Sequence, residues 1–141
     1  IPVRRTAIDR ENPWQGKTMG MFLCDKPQII DNRVFTAFQK TRDGNGESYG
    51  SEVFFLRSND FLQIHHSGGD LSKATWETLP KGDRGLQTGR GLFMGEEPHI
   101  MQVKGSRLVC FWRTELGFLD STYSDDYGET WDRTPDSRPS P

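Results

Sequence analysis

The sequence predicts an all-β fold of about two consecutive four-stranded antiparallel sheets, arranged as blades of a larger propeller. Three observations predict it. Segments return at a fixed distance: VFFLRS at 53–58 is echoed by VCFWRT at 109–114, and ATWETLP at 74–80 by ETWDRTP at 129–135. A repeat of this length with about four short strands is the arithmetic of a propeller blade. The composition agrees, with four Trp, nine Phe and three Tyr among fifteen Gly and eight Pro, which suits short aromatic strands joined by many turns. The third observation is a turn sequence, SDDYGETW at 124–131, whose residue types each serve the turn. An immunoglobulin-type sandwich also uses short strands, but it does not predict the repeat.

In order along the chain, residues 1–25 form an N-terminal segment that could end a preceding blade. The first blade covers 26–80, with strands expected at 28–30, 33–41, 51–58 and 75–79. Residues 81–96 hold most of a five-glycine stretch without period, expected to cross over between blades. Those glycines lack the strand, loop and helix context of a phosphate cradle. The second blade covers 97–135, with strands expected at 99–103, 107–114, 118–124 and 130–133, and a linker follows at 136–141. KPQIIDNRVFTAFQK from Lys26 and EPHIMQVKGSRLVCFWR from Glu97 open the two blades alike, with a charged residue and a Pro before a strand, a turn and a longer strand.

Composition also excludes partners. Eighteen basic against twenty acidic residues leave a net charge of −2, without the Lys/Arg excess that a nucleic-acid backbone requires. The longest apolar runs, such as LVCFW at 108–112, fall far short of the roughly 20 residues of a membrane-spanning helix. Cys24 and Cys110 could form one bridge or remain two thiols. The chain opens on Ile1 with neither an initiator Met nor an apolar leader. A removed leader and excision from a larger chain are both open readings of that start. His65, His66 and His99 have no Cys, Asp or Glu at ligand spacing, so neither metal nor cofactor is expected.

The turn at 124–131 has a physical logic. Asp126 can accept bonds from turn amides, Gly128 supplies a conformation that side chains oppose, and Trp131 can bury a large surface between strands. Ser124, Asp126, Gly128, Thr130 and Trp131 match every fixed position of the Asp-box, Ser-x-Asp-x-Gly-x-Thr-Trp. A stretched version follows the first blade's third strand: Ser58, Asp60, a long insertion, then Thr75 and Trp76. On these residues the chain resembles the sialidase (neuraminidase) superfamily, whose propellers carry bacterial-neuraminidase repeats. SKATWETLPKGDRGL, EEPH and the Arg-Thr before the Asp-box bring it near uncharacterised microbial sialidase-like proteins. The resemblance spans roughly 26–135, and Asp-boxes mark architecture rather than chemistry.

The resemblance implies a six-bladed retaining exo-glycosidase acting on acidic sugars. Three arginines would hold the substrate carboxylate, an Asp would act as acid, and a Tyr assisted by a Glu would be the nucleophile. Glu97 and Arg113, sixteen apart, fall at the spacing of that Glu and one of the arginines, giving Glu97 a catalytic and Arg113 a substrate-binding role. Glu47, ten before Arg57, is the match to the acid, although the family uses Asp; a solvated hairpin glutamate is its other reading. His99 shares a strand face with Glu97 and could contact substrate or serve structure. No Arg-Ile-Pro stands before the first strand, where Asp25 and Lys26 precede Pro27, and the nucleophile and remaining arginines would lie in other blades. The rival reading is a non-catalytic carbohydrate-binding or interaction scaffold. Either way the expected partners are a glycan and further blades, from another chain or a homo-oligomer. The isolated chain is expected to be inactive. A secreted location follows only from the resemblance.

Overall fold

A computed structural model describes residues 3–42, 50–87, 96–114 and 117–132, with the backbone of 138–139. Two antiparallel sheets account for most of it. The first contains β1 (Gly20–Leu23), β2 (Gln28–Ile30), β3 (Arg33–Thr41), β4 (Ser51–Ser58) and β5 (Glu77–Leu79), in the order β1-β3-β4-β5 with β2 also on β3. The second is β6 (Glu96–Lys104), β7 (Arg107–Arg113), β8 (Phe118–Ser124) and β9 (Arg138–Pro139), in sequence order. Two helices are short: α1 (Ala7–Arg10) and α2 (Phe61–His66). The fold is all-β, built of propeller-type blades.

Strand alternation decides how the sheets stack. One face of β3 and β4 offers Phe35, Ala37, Val53 and Phe55 to the second sheet, which answers with Ile100, Leu108, Cys110 and Trp112. The other face offers Phe38, Phe54 and Leu56 to the N-terminal segment, where Ile8 is buried and Val3 packs alongside. Lys40, fully buried, reaches into that segment and donates to Asp9 at 2.6 Å and to the Arg4 carbonyl at 2.6 Å. Each sheet contains a two-residue hairpin, between β2 and β3 in the first and between β6 and β7 in the second. Asp31 and Asn32 close the first with positive φ, a conformation their short polar side chains tolerate, and Gly105 takes part in the second.

The innermost strand of each sheet is interrupted beside a proline. β1 and β2 lie end to end along β3, and residues 24–27 stand against only Thr36 and Ala37. In β6, Glu97 and Pro98 stand against Trp112 alone, a bulge between the pairs Glu96–Arg113 and His99–Phe111. Proline has no N–H to give a ladder, so sheets admit it at such breaks.

Three features depart from the sequence reading. Gly20–Leu23 belongs to the first sheet, ahead of the boundary expected at Lys26. VFFLRS is the third strand of its sheet and VCFWRT the second, the ranks that the expected strands gave them, so the echo between the two does not join equivalent strands. β3 is the true counterpart of β7, which places Gln39 and Arg113 alike as the seventh residue of each strand. The fourth strand of the second sheet, expected at 130–133, is found at Arg138–Pro139; Thr130 to Asp132 are held outside any strand by bonds to Asp126 and Tyr123.

Those bonds belong to a turn that both sheets possess. Asp126 accepts from the Ser124 hydroxyl at 2.8 Å, the Thr130 amide at 2.9 Å and the Thr130 hydroxyl at 2.6 Å. Gly128 sits at φ +84°, and the Trp131 indole donates to its carbonyl at 3.1 Å. Asp60 repeats the pattern across its insertion, accepting from Ser58 at 2.9 Å, the Thr75 amide at 3.0 Å and the Thr75 hydroxyl at 2.7 Å. His65 and His66 end α2, inside that insertion.

The two carboxyls feel these donors. Burial pushes Asp126 up, but bonds from Thr130 and Ser124 outweigh it and hold the group below its ordinary range. The Thr75 hydroxyl leads in lowering Asp60. A carboxyl with a folded pKa below its unfolded value of about 3.9 contributes stability that is complete above that value and lost as pH falls through the folded one. Thermal melts should therefore weaken below about pH 4. Asp126→Asn should flatten that dependence, and equal slopes in the two proteins would remove this turn from the acid response.

Candidate functional site

The two interrupted inner strands bring their exceptional residues to one place. At the break between β1 and β2, Asp25 is almost fully buried and turns its carboxylate across to β6. It accepts from the Ile100 amide at 3.1 Å and meets His99 Nδ1 at 2.7 Å. The carboxylate is acceptor-only, so Nδ1 donates to it and Nε2 is the nitrogen left for other contacts. The His99 side chain is 54% exposed, which leaves that nitrogen open to a ligand.

One step earlier along β6, the bulge brings Glu96 and Glu97 to the same guanidinium. Regular alternation would send neighbouring side chains to opposite faces. Instead Arg113 Nε donates to Glu97 at 3.0 Å while its Nη2 donates to Glu96. Glu97 and Arg113 are exposed, at 61% and 51% of their side chains, whereas Glu96 is mostly covered. Glu97 is at φ +51°, unusual for a residue with a Cβ. Its amide donates to Gln39 of β3 at 2.7 Å.

Three carboxylates against one guanidinium give the cluster a negative field. The neighbouring Cys24 thiol registers it: burial first, then the charges of Glu97, Glu96 and Asp25, push it above its usual range. Cys110 lies fully buried in the core, and the two cysteines are free thiols.

Of the site residues read from the sequence, Glu97, Arg113 and His99 come together here. Glu47 lies outside the described residues. Arg57, which supported its assignment, is on β4 and points elsewhere: it is buried against Glu77 and Glu129 and donates to the Tyr127 carbonyl at 3.0 Å. Ser124 pairs with Leu108 at the far end of β7 from Arg113, so the turn at 124–131 lies at the opposite end of the sheet. Sequence reasoning missed Asp25 and Glu96. The signal was present in the repeated acid beside a proline, Asp25 two before Pro27 and Glu97 just before Pro98.

No family model and no curated protein matches the sequence. Among solved structures, the chain is similar to Zg3597, a family 117 glycoside hydrolase produced by the marine bacterium Zobellia galactanivorans. The match has a TM-score of 0.52 at 14% identity and covers 94% of this chain. What it shows is the fold. The chain spans 42% of that enzyme's length, less than half.

Proposed function

We propose that the chain is part of a glycan-processing propeller of the sialidase type, with its ligand-binding end where Asp25, His99, Glu96, Glu97 and Arg113 meet. The observation that carries this reading is the convergence itself. At the breaks of the two inner strands, with Arg113 of β7 beside them, an imidazole, carboxylates and a guanidinium are gathered, and His99, Glu97 and Arg113 are exposed. The glycoside hydrolase fold of the structural neighbour supports the same class.

In this reading Arg113 is one member of a cluster that holds a sugar carboxylate, a task suited to a planar, permanently charged fork. Its Nε and Nη2 are bonded to Glu97 and Glu96, so an acidic sugar either displaces one of them or takes the Nη1 edge of the guanidinium. Glu97 is the more exposed of the two and the one free to turn away. Turned, it assists a nucleophile supplied by another blade. His99 Nε2 contacts a sugar hydroxyl, and Asp25 fixes the ring that does so. Further blades, from a longer chain or a second copy, meet the second sheet on the face that carries Met101, Val103 and Tyr123.

The two carboxylates already on Arg113 favour the rival, a carbohydrate-binding scaffold without turnover, and one experiment separates the two. In the complete protein, Glu97→Gln and Arg113→Ala should each lower turnover of an aryl sialoside by about 10²-fold or more, as losses of a proton-transfer or positioning group do. Thermal melts of both variants should stay near that of the parent, since both side chains are exposed. A complete protein that binds glycan without turnover leaves the scaffold as the better account, and unchanged turnover in both variants removes Glu97 and Arg113 from the chemistry.

A further inference from the structure

We infer that Gln39 is a positioning residue for Glu97. The inference rests on the reading of Glu97 and Arg113 as the ligand site. It starts from the backbone: Glu97 is held at φ +51°, which non-glycine residues avoid because the Cβ crowds the backbone. Such conformations are strained and persist where surrounding structure imposes them. Here the imposing contact comes from the other sheet. Gln39, 7% exposed, places its Oε1 at 2.7 Å from the Glu97 amide.

The contact has a direct consequence for the carboxylate. The bulge removes Glu97 and Pro98 from regular pairing with β7, and the Glu97 amide donates to Gln39, with the Cys24 thiol also near that main chain. With Gln39 accepting from that amide, residue 97 stays left-handed, and its side chain falls on the same guanidinium as that of Glu96. Without Gln39, residue 97 is free to relax to an extended conformation. Alternation then carries its carboxylate away from Glu96 and Arg113.

The structural repeat reinforces the assignment. Gln39 and Arg113 are the seventh residues of β3 and β7, so the same position in successive blades grips Glu97 twice. Gln39 takes its main-chain N–H and Arg113 its carboxylate. The geometry of the ligand site is thereby set from the preceding blade, by a side chain that no ligand touches.

The test uses the full chain with Gln39→Met, which keeps length and removes the acceptor, and Gln39→Glu, which restores one. Proton–nitrogen NMR reads the Glu97 amide and the Arg113 Nε–H, and N-acetylneuraminate is titrated into each protein. In Gln39→Met the Glu97 amide should move upfield, the Arg113 Nε–H should shift, and the N-acetylneuraminate Kd should change by about tenfold, the effect of about 1.4 kcal/mol. Gln39→Glu should bring both resonances back towards the parent. Unmoved Glu97 and Arg113 signals in Gln39→Met overturn the inference. Parent protein that binds no N-acetylneuraminate would remove the acidic-sugar reading instead, while the two resonances still decide the role of Gln39.

Discussion

Trp131→Ala should unfold or aggregate the chain. The indole is 8% exposed and lies flat on Phe55 of the first sheet, with ring centroids 4.5 Å apart and planes 13° from parallel. It closes the core between the sheets beside Trp112, Leu79 and Leu86. Truncating a buried Trp to Ala typically costs about 3–5 kcal/mol. A domain holds only about 5–15 kcal/mol in total. At about 3 °C per kcal/mol for this length, the melting temperature should fall by about 10 °C or more. Asp126→Ala gives the contrast. It removes turn bonds at a partly exposed site and should lose only about 1–2 kcal/mol. A Trp131→Ala protein melting within a degree or two of the parent would mean that this side chain does not join the two sheets.

The second large effect is expected at the opposite face of the first sheet. Lys40 and Asp9 have side chains that are 0% and 1% exposed, and they touch nothing charged as closely as each other. Burial pulls the Lys40 ammonium down from its usual range, opposed by the bond and charge of Asp9. Removing one partner leaves the other charge buried alone, which costs about 3–5 kcal/mol. Lys40→Met should therefore lower the melting temperature about as far as Trp131→Ala. The paired change Lys40→Met with Asp9→Leu should recover much of that loss, since an apolar pair of similar volume is often neutral or better. A double variant no more stable than the single one would show that the salt bridge is not what Lys40 contributes.

The architecture was legible because its signals are local. Ser124, Asp126, Gly128 and Thr130 interact within one turn, so the chemistry that makes the turn is written in consecutive residues. The stretched version was legible for the same reason, since Ser58 and Asp60 are two residues apart and Thr75 returns to them across a helical insertion. The site was legible in part. Glu97, His99 and Arg113 lie on paired strands, where spacing translates into position. Asp25 and His99 are 74 residues apart and meet only because two inner strands break side by side. The grip of Gln39 on Glu97 depends on a bulge that no spacing displays. The repeat misled at one point. VFFLRS is buried at every residue and VCFWRT at alternate ones, and likeness of residue type says nothing about a strand's rank in its sheet. The strand at Arg138–Pro139 was hidden because the residues before it, Thr130 to Asp132, read as strand but are claimed by the turn.

The Trp131–Phe55 stack gives the array a direction of growth. Each turn tryptophan is handed backwards: Trp131 of the second sheet lies on the first, and Trp76 of the first lies with Phe38 and Phe54 against the N-terminal segment. Residues 3–10 thus occupy the seat that an earlier sheet would take, and the buried ammonium of Lys40 fastens them there. A duplicated unit inserted ahead of Gly20 would have to evict this cover and would strand a charge in doing so. One added behind β9 would only lower its tryptophan onto Met101, Val103 and Tyr123, which are already open. Lengthening by duplication is therefore cheap at one end of these two sheets and obstructed at the other.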